Sequence, residues 1–185
     1  MAFESRLDLP VLIERVRHIR LLALDVDGVM TDGRLYFQAD GQETKSFSTQ
    51  DGLGIKLLRQ AGIDVAIITG RRSPMVDQRA EALGIEHVMQ GRDDKLEALQ
   101  SLLSELNMDL RQTAYCGDDL PDLSAIKRAG LGISVPNAPL YIRECADWVT
   151  EHAGGHGAVR EICDNLLAWQ GHWPAVLDTY SHGKG

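Results

Sequence analysis

The chain has 185 residues, 44% of them hydrophobic and 25% charged, with a net charge of −8 and a pI near 5.2. That length suits one domain over residues 1–185 with a sizeable core, and the acidic balance excludes a general nucleic-acid binder, which needs a basic face to meet phosphates. No run approaches the roughly 20 apolar residues of a membrane span, residues 1–10 lack a signal-peptide core, and Cys116, Cys145 and Cys163 form no C-x-x-C pair, so a cytoplasmic protein with free thiols, no zinc site and no membrane partner is expected.

In chain order, Pro10–His18 reads as an amphipathic helix, with Val11, Leu12, Val16 and Ile19 near one face. Arg20–Asp25 is a short apolar run ending in acid, the pattern of a buried strand. Leu35–Phe37 and Thr44–Phe47 flank Gly41 and predict a small hairpin within an insert over 33–48. Asp51–Ala61 is a predicted helix with Asp51 as N-cap, followed by a buried strand, Asp64–Thr69, and a helix, Pro74–Leu83, stopped by Gly84. His87–Gln90 is a strand, Asp93–Leu106 a helix and Thr113–Cys116 a strand running into Gly117-Asp118-Asp119. Pro121–Arg128 is a helix stopped by Gly130; Gly132–Val135, Leu140–Cys145 and Asp147–Val149 read as strand, helix and strand; Gly157–Trp169 is a closing helix, and 181–185 is a small polar tail. Alternating strands and helices predict an α/β fold with a central parallel sheet between two helical layers. Ligands of such sheets bind beyond the carboxyl ends of the strands, and Asp25, Thr69 and Asp118 all fall there.

Four motifs carry the chemistry. In Asp25-Val26-Asp27-Gly28, strand alternation points two carboxylates the same way. They repel unless one holds a proton or a cation intervenes, which suits acid/base work; a plain turn with an N-cap, or a calcium loop, are the other readings, and Val29 and Met30 do not continue a calcium loop. Thr69-Gly70-Arg71, before the helix at Pro74, either holds a phosphate at the helix N-terminus or caps that helix. Lys95 at a helix start opposes the macrodipole, so it either serves a nearby anion or is a solvated surface lysine. Gly117-Asp118-Asp119-Leu120-Pro121-Asp122 packs three carboxylates into a strand end; it needs a positive partner such as magnesium, or else is a capping acid with acidic neighbours.

Together, in this order, these motifs resemble the haloacid dehalogenase superfamily. The resemblance implies a three-layer sandwich around a parallel sheet. It also implies phosphoryl transfer: Asp25 as nucleophile, Asp27 as general acid/base, and Lys95 and Thr69 assisting. Mg2+ would lie on Asp25, Asp118 and the backbone carbonyl of Asp27, with Asp119 and Asp122 orienting those ligands or Lys95. Thr31-Asp32-Gly33 through Gly41, Phe47, Asp51 to Lys56, Leu83-Gly84-Ile85, Gln90-Gly91 and Gly154-Gly155 with Gly157 to Glu161 narrow it. From about Val11 to Gly171 the chain resembles the capless 3-deoxy-D-manno-octulosonate 8-phosphate phosphatase family, whose small hairpin replaces a large cap. That implies a sugar-acid phosphate substrate contacted by Asp27, Ser48, Thr49, Gln50, Asp51, Gly52, Lys56, Thr69, Gly70, Arg71, Arg79 and Lys95. It further implies lipopolysaccharide precursor synthesis and a homotetramer in which an adjoining chain roofs each site. Two departures stand out: Ser48-Thr49-Gln50 stands where the family can carry an arginine just before Asp51-Gly52, and His156 takes the place of the arginine of a G-G-R-G tail. They leave open a nine-carbon sialic-acid-type phosphate as substrate, and His156 is either a solvent-exposed loop residue or part of a neighbour's site. A catalytically idle regulatory relative would be expected to lose Asp25 or Asp27, and a receiver domain would carry its acids in a different order.

Overall fold

Three apolar runs, Leu21–Leu24, Thr113–Cys116 and Leu131–Ser134, are buried at every position, as strands covered on both faces of a sheet must be. They lie at the heart of a seven-stranded sheet in the computed structural model, which describes residues 4–5 and 7–183. The elements run β1 (Glu4–Ser5), α1 (Leu9–Arg17), β2 (Leu21–Leu24), β3 (Tyr36–Phe37), β4 (Glu43–Thr44), α2 (Thr49–Gln60), β5 (Asp64–Thr69), α3 (Pro74–Leu83), β6 (His87–Gln90) and α4 (Lys95–Glu105). They continue with β7 (Thr113–Cys116), α5 (Leu123–Arg128), β8 (Leu131–Ser134), α6 (Leu140–Arg143), β9 (Trp148–Val149), α7 (Ala158–Trp169) and α8 (Trp173–Ser181), and a 3-10 turn, Leu120–Asp122, precedes α5.

The sheet order is β1-β9-β8-β7-β2-β5-β6, parallel except for β1, which runs antiparallel to β9. Helix α2 lies along α7, with α1 beside α7, while α4 packs on α5; the sheet separates these two helical layers. Register positions the rim. Leu24 sits opposite both Ile67 and Cys116, so the residues after β2 and β7 emerge level with the end of β5. Trp148 and Tyr115 are the largest fully buried side chains, each worth several kcal/mol on the scale of about 25 cal/mol per Å² of apolar area. Strands β3 and β4 form a separate exposed hairpin, Tyr36 opposite Thr44 and Phe37 opposite Glu43.

The expected alternation is present; the strand expected over Thr44–Phe47 is found at Glu43–Thr44, the helix expected from Pro121 begins at Leu123 after the 3-10 turn, and four further differences stand out. Helix α2 starts at Thr49, and its N-cap is Ser48, whose Oγ accepts from the Asp51 N–H at 3.3 Å; Asp51 is not the cap because its carboxylate serves another helix, described below. The edge strand β1 precedes every expected element, and such a strand needs backbone pairing rather than an apolar run. Helix α8 was not expected, since its pattern follows Gly171 with only Trp173 and Val176 turned to the core. The polar tail over 181–185 begins inside α8, and 184–185 lie outside the described residues. Among the described residues, no helix is long and apolar enough to cross a membrane.

Candidate active site

Asp25 follows β2 directly, and its N–H donates to the Cys116 carbonyl at 3.0 Å, carrying the ladder one residue past the strand. The chain then turns tightly: the Val26 carbonyl accepts from the N–H groups of Val29, Met30 and Thr31 at 3.3, 3.0 and 3.0 Å. Gly28 makes that turn possible at φ +98°, and a Cβ there would fall 2.0 Å from Asp118 Oδ2, so glycine is what lets the two acidic loops touch. Gly154 presses from the other side, where a Cβ would sit 1.8 Å from the Gly28 carbonyl. Asn137 locks this contact: its amide donates to that carbonyl at 3.0 Å and accepts from the Gly154 N–H at 2.8 Å.

At the centre lies Lys95, 4% exposed, with its Nζ 2.6 Å from Asp25 Oδ1 and 2.7 Å from Asp122 Oδ1. Asp122 is fully engaged. Its Oδ1 also accepts from the Tyr115 hydroxyl at 2.7 Å, and its Oδ2 accepts the N–H groups of Asp118 and Asp119 at 3.1 and 3.2 Å. It therefore shapes the acidic loop and anchors Lys95, while Asp119 caps the 3-10 turn by accepting from Leu120 N–H at 2.8 Å. Burial and the Asp122 charge outweigh the Lys95 ammonium and push Asp25 up to about 7. Burial, then Asp25, Asp122 and Asp119, push Asp118 up to about 7 as well. Burial pulls Lys95 down, but Asp25 and Asp122 together hold it above its ordinary range. The bland reading of Lys95 as a solvated surface residue is thus corrected: the macrodipole cost is met by two buried carboxylates.

These groups line a cavity of about 560 Å³ with Asp27, Gly33, Thr69, Gly70, Arg71, Asp93 and Pro121. Six carboxylates face two cations, Lys95 and Arg71, around it. Oxygens of Asp25, Asp118 and Asp122 lie within 4.8 Å of one another. Because Asp122 is committed, Asp25 and Asp118 are the acids that suit a hard divalent cation, which prefers one or two carboxylates and completes its shell with other oxygens. The charge excess and the two raised acids fit such an ion.

The remaining expected contacts are not brought to this cavity by the same chain. The Asp51 carboxylate, 3% exposed, turns away and accepts from the Arg160 N–H at 2.8 Å, capping the start of α7. Arg79 donates to the Ser48 carbonyl at 2.8 Å and lies over the Phe47 ring at 5.7 Å; Gly52 leaves it room, since a Cβ there would meet its Nη2 at 2.3 Å. Thr49 is exposed at the start of α2, Gln50 borders a groove with His152, Arg160 and Trp173, and Lys56 borders another with Arg59 and Glu81. His156 is exposed. The physical reason is that the start of α2 packs on the start of α7, where Asp51 meets Arg160, and not on the cavity wall.

The structure adds Lys45, Glu43, Tyr115 and Asn137, which sequence reasoning did not single out. Lys45 Nζ contacts Asp27 Oδ1 and lies 3.0 Å from Glu43 Oε1, while Arg71 Nη2 donates to Glu43 Oε2 at 2.6 Å. Lys45, then Arg71, holds Glu43 below the usual carboxylate range. Glu43-Thr44-Lys45 alternates charged, polar, charged, and that period of two was the available signal for a shared face.

Residues 85–162 match the haloacid dehalogenase-like hydrolase family. The chain is 48% identical to the 3-deoxy-D-manno-octulosonate 8-phosphate phosphatase KdsC of Yersinia pestis, over 85% of this chain and 84% of that protein. It is 46% identical to that of Escherichia coli K12, over 86% and 85%. Among solved structures, the Moraxella catarrhalis phosphatase of the same name, in complex with magnesium, phosphate and a KDO molecule, superposes with a TM-score of 0.92 at 48% identity, covering 94% of this chain and 99% of that one. The cobalt-bound Haemophilus influenzae phosphatase gives 0.82 at 41% identity, covering 85% and 92%.

Proposed function

Since the chain belongs to the 3-deoxy-D-manno-octulosonate 8-phosphate phosphatase family of haloacid dehalogenase-like hydrolases, we propose that it hydrolyses 3-deoxy-D-manno-octulosonate 8-phosphate to the free sugar acid and phosphate. One arrangement carries this function: Asp25, held by Lys95 and facing Asp118, opens on the same cavity as Asp27, Thr69 and Gly70. Phosphoryl transfer asks mainly for positioning and charge neutralisation, and this rim offers both.

Asp25 attacks phosphorus and the bond to the sugar oxygen breaks, while Asp27 delivers a proton to the leaving alkoxide. Asp27 then takes a proton from the water that attacks the aspartyl-phosphate, and phosphate leaves. Thr69, Gly70 and Lys95 hold the phosphoryl oxygens. A magnesium ion on Asp25, Asp118 and the Asp27 carbonyl would supply the positive charge that lets two anions meet. Arg71 at the mouth suits a planar carboxylate. The same proposal includes a cytoplasmic homotetramer in lipopolysaccharide precursor synthesis. Exposed Leu35, Tyr36 and Phe37 on the hairpin are apolar surface for a neighbouring copy, and in such an assembly the exposed Thr49, Gln50 and Lys56 would serve an adjoining site.

The test is phosphate release from eight- and nine-carbon sugar-acid phosphates and hexose phosphates, with magnesium and with a chelator. The eight-carbon substrate should give the highest kcat/KM, and only with metal. Preference for a nine-carbon or hexose phosphate, or metal-independent turnover, overturns the assignment.

A further inference from the structure

Asp27 must aim one oxygen at the leaving group, yet it lies within a tight turn and its side chain is 20% exposed. What fixes it comes from outside the central sheet. Strand β4 ends at Thr44, and alternation puts Glu43 and Lys45 on its one face toward the rim. The Lys45 side chain is only 2% exposed, and its ammonium sits between Asp27 Oδ1 and Glu43 Oε1. Glu43 in turn binds Arg71 through Oε2 at 2.6 Å. The four groups alternate in sign, so the buried lysine is neutralised without drawing on the acids around Lys95.

Arg71 Nε stands 3.8 Å from Asp27 Oδ2, too far for a hydrogen bond. Lys45 therefore occupies Oδ1 and leaves Oδ2 as the oxygen able to give and take a proton. We propose that Lys45, buttressed by Glu43, is a positioning residue for the proton-transfer step, anchoring one oxygen of Asp27 so that the other serves the leaving alkoxide. This rests on the phosphatase function proposed above, and it goes beyond it by giving the hairpin a catalytic duty within its own chain.

The experiment compares kcat/KM for Lys45→Met on the eight-carbon sugar-acid phosphate and on p-nitrophenyl phosphate. That ratio reports steps up to release of the alcohol. A sugar alkoxide needs a proton as it leaves, whereas nitrophenolate does not. Losing a well-placed acid costs about a hundredfold or more, and misplacing it by about 1 Å costs a similar factor. The expected loss is therefore about 30- to 100-fold on the sugar phosphate and at least about tenfold smaller on the aryl phosphate. On an Asp27→Ala background, Lys45→Met should add less than about twofold, because two residues acting through one group are not additive. Lys45→Met with Glu43→Gln keeps the local charge balanced and should show the same split if the single variant folds poorly. Equal losses on both substrates, or full multiplication on the Asp27→Ala background, would reduce Lys45 to a structural ion pair and overturn the inference. Wild-type turnover of the sugar phosphate separately reports on the proposed function.

Discussion

Two buried lysines, each clasped by two carboxylates, divide the labour of the rim differently. Lys95 rises from the start of α4 and meets Asp25 and Asp122, which follow β2 and β7, so every member hangs on the core sheet or a helix packed to it. Lys45 follows a two-residue strand of a hairpin outside that sheet and meets Asp27 and Glu43. Its sequence neighbours Thr44 and Ser46 are exposed, and Arg71 beside it is about half exposed. The deep cluster is held by the fold and fixes Asp25, the proposed nucleophile. The shallow one is held by an appended ribbon and meets Asp27, the proposed general acid. On that proposal, a capless scaffold keeps its attacking group constant while a short insert governs the group that meets the alcohol.

The comparison breaks first at Asp25. Asp25→Asn should lower phosphate release by about 10⁴-fold or more, because the covalent step loses its attacking oxygen. Its melting temperature should stay near wild type, since the change removes a carboxylate that burial and Asp122 already push up to about 7. Turnover within about tenfold of wild type, measured as phosphate release with magnesium, would remove Asp25 from the centre of the mechanism.

The two clasps should also differ in stability. Lys95→Met leaves Asp25 and Asp122 facing each other with Asp122 1% exposed. Breaking a buried pair on one side costs about 3–5 kcal/mol. Lys45→Met leaves Asp27 and Glu43, 20% and 18% exposed, with Arg71 still beside both, so its cost should be smaller, about 1–2 kcal/mol. Denaturant melts of the two variants without metal test this ordering, and equal destabilisation would mean the hairpin is as integral to the fold as the sheet.

The deep cluster was legible in the sequence and the shallow one was not, for physical reasons. Buried parallel strands leave continuous apolar runs, and the acids that end them stand out: Leu21 to Leu24 points at Asp25, and Thr113 to Cys116 points at Asp118. Lys95 betrayed itself by opposing a helix dipole. Lys45 offered only one period of alternation in a strand of two residues, too short to separate from chance. Asp51 misled because an acid at a helix start normally caps its own helix; only the packing of α2 on α7 turns it to Arg160. Residues 48–52, Lys56 and Arg79 carried a resemblance rather than a geometry, and the single chain directs them elsewhere.

The mildest expected effect sharpens the electrostatic side of the comparison. Asp25 and Asp118 are both pushed up to about 7 in the metal-free protein, so between the usual carboxylate range and pH 7 the folded chain holds protons that the unfolded chain releases. Their contribution to stability is therefore fully present at low pH and is lost as pH rises through about 7. Magnesium needs both carboxylates ionised and must displace those protons. Its affinity should rise by roughly tenfold or more per pH unit below neutrality and level off above it, one proton released per acid that still holds one. Calorimetric titrations with magnesium between about pH 5.5 and 8, in buffers of different ionisation enthalpy, would count those protons directly. Asp118→Asn should flatten the slope, whereas Lys45→Met, whose ion pairs are with Asp27 and Glu43, should leave it unchanged. A pH-independent affinity across that window would mean the rim acids are ionised without a cation, and the charge excess of the cavity would then need another partner.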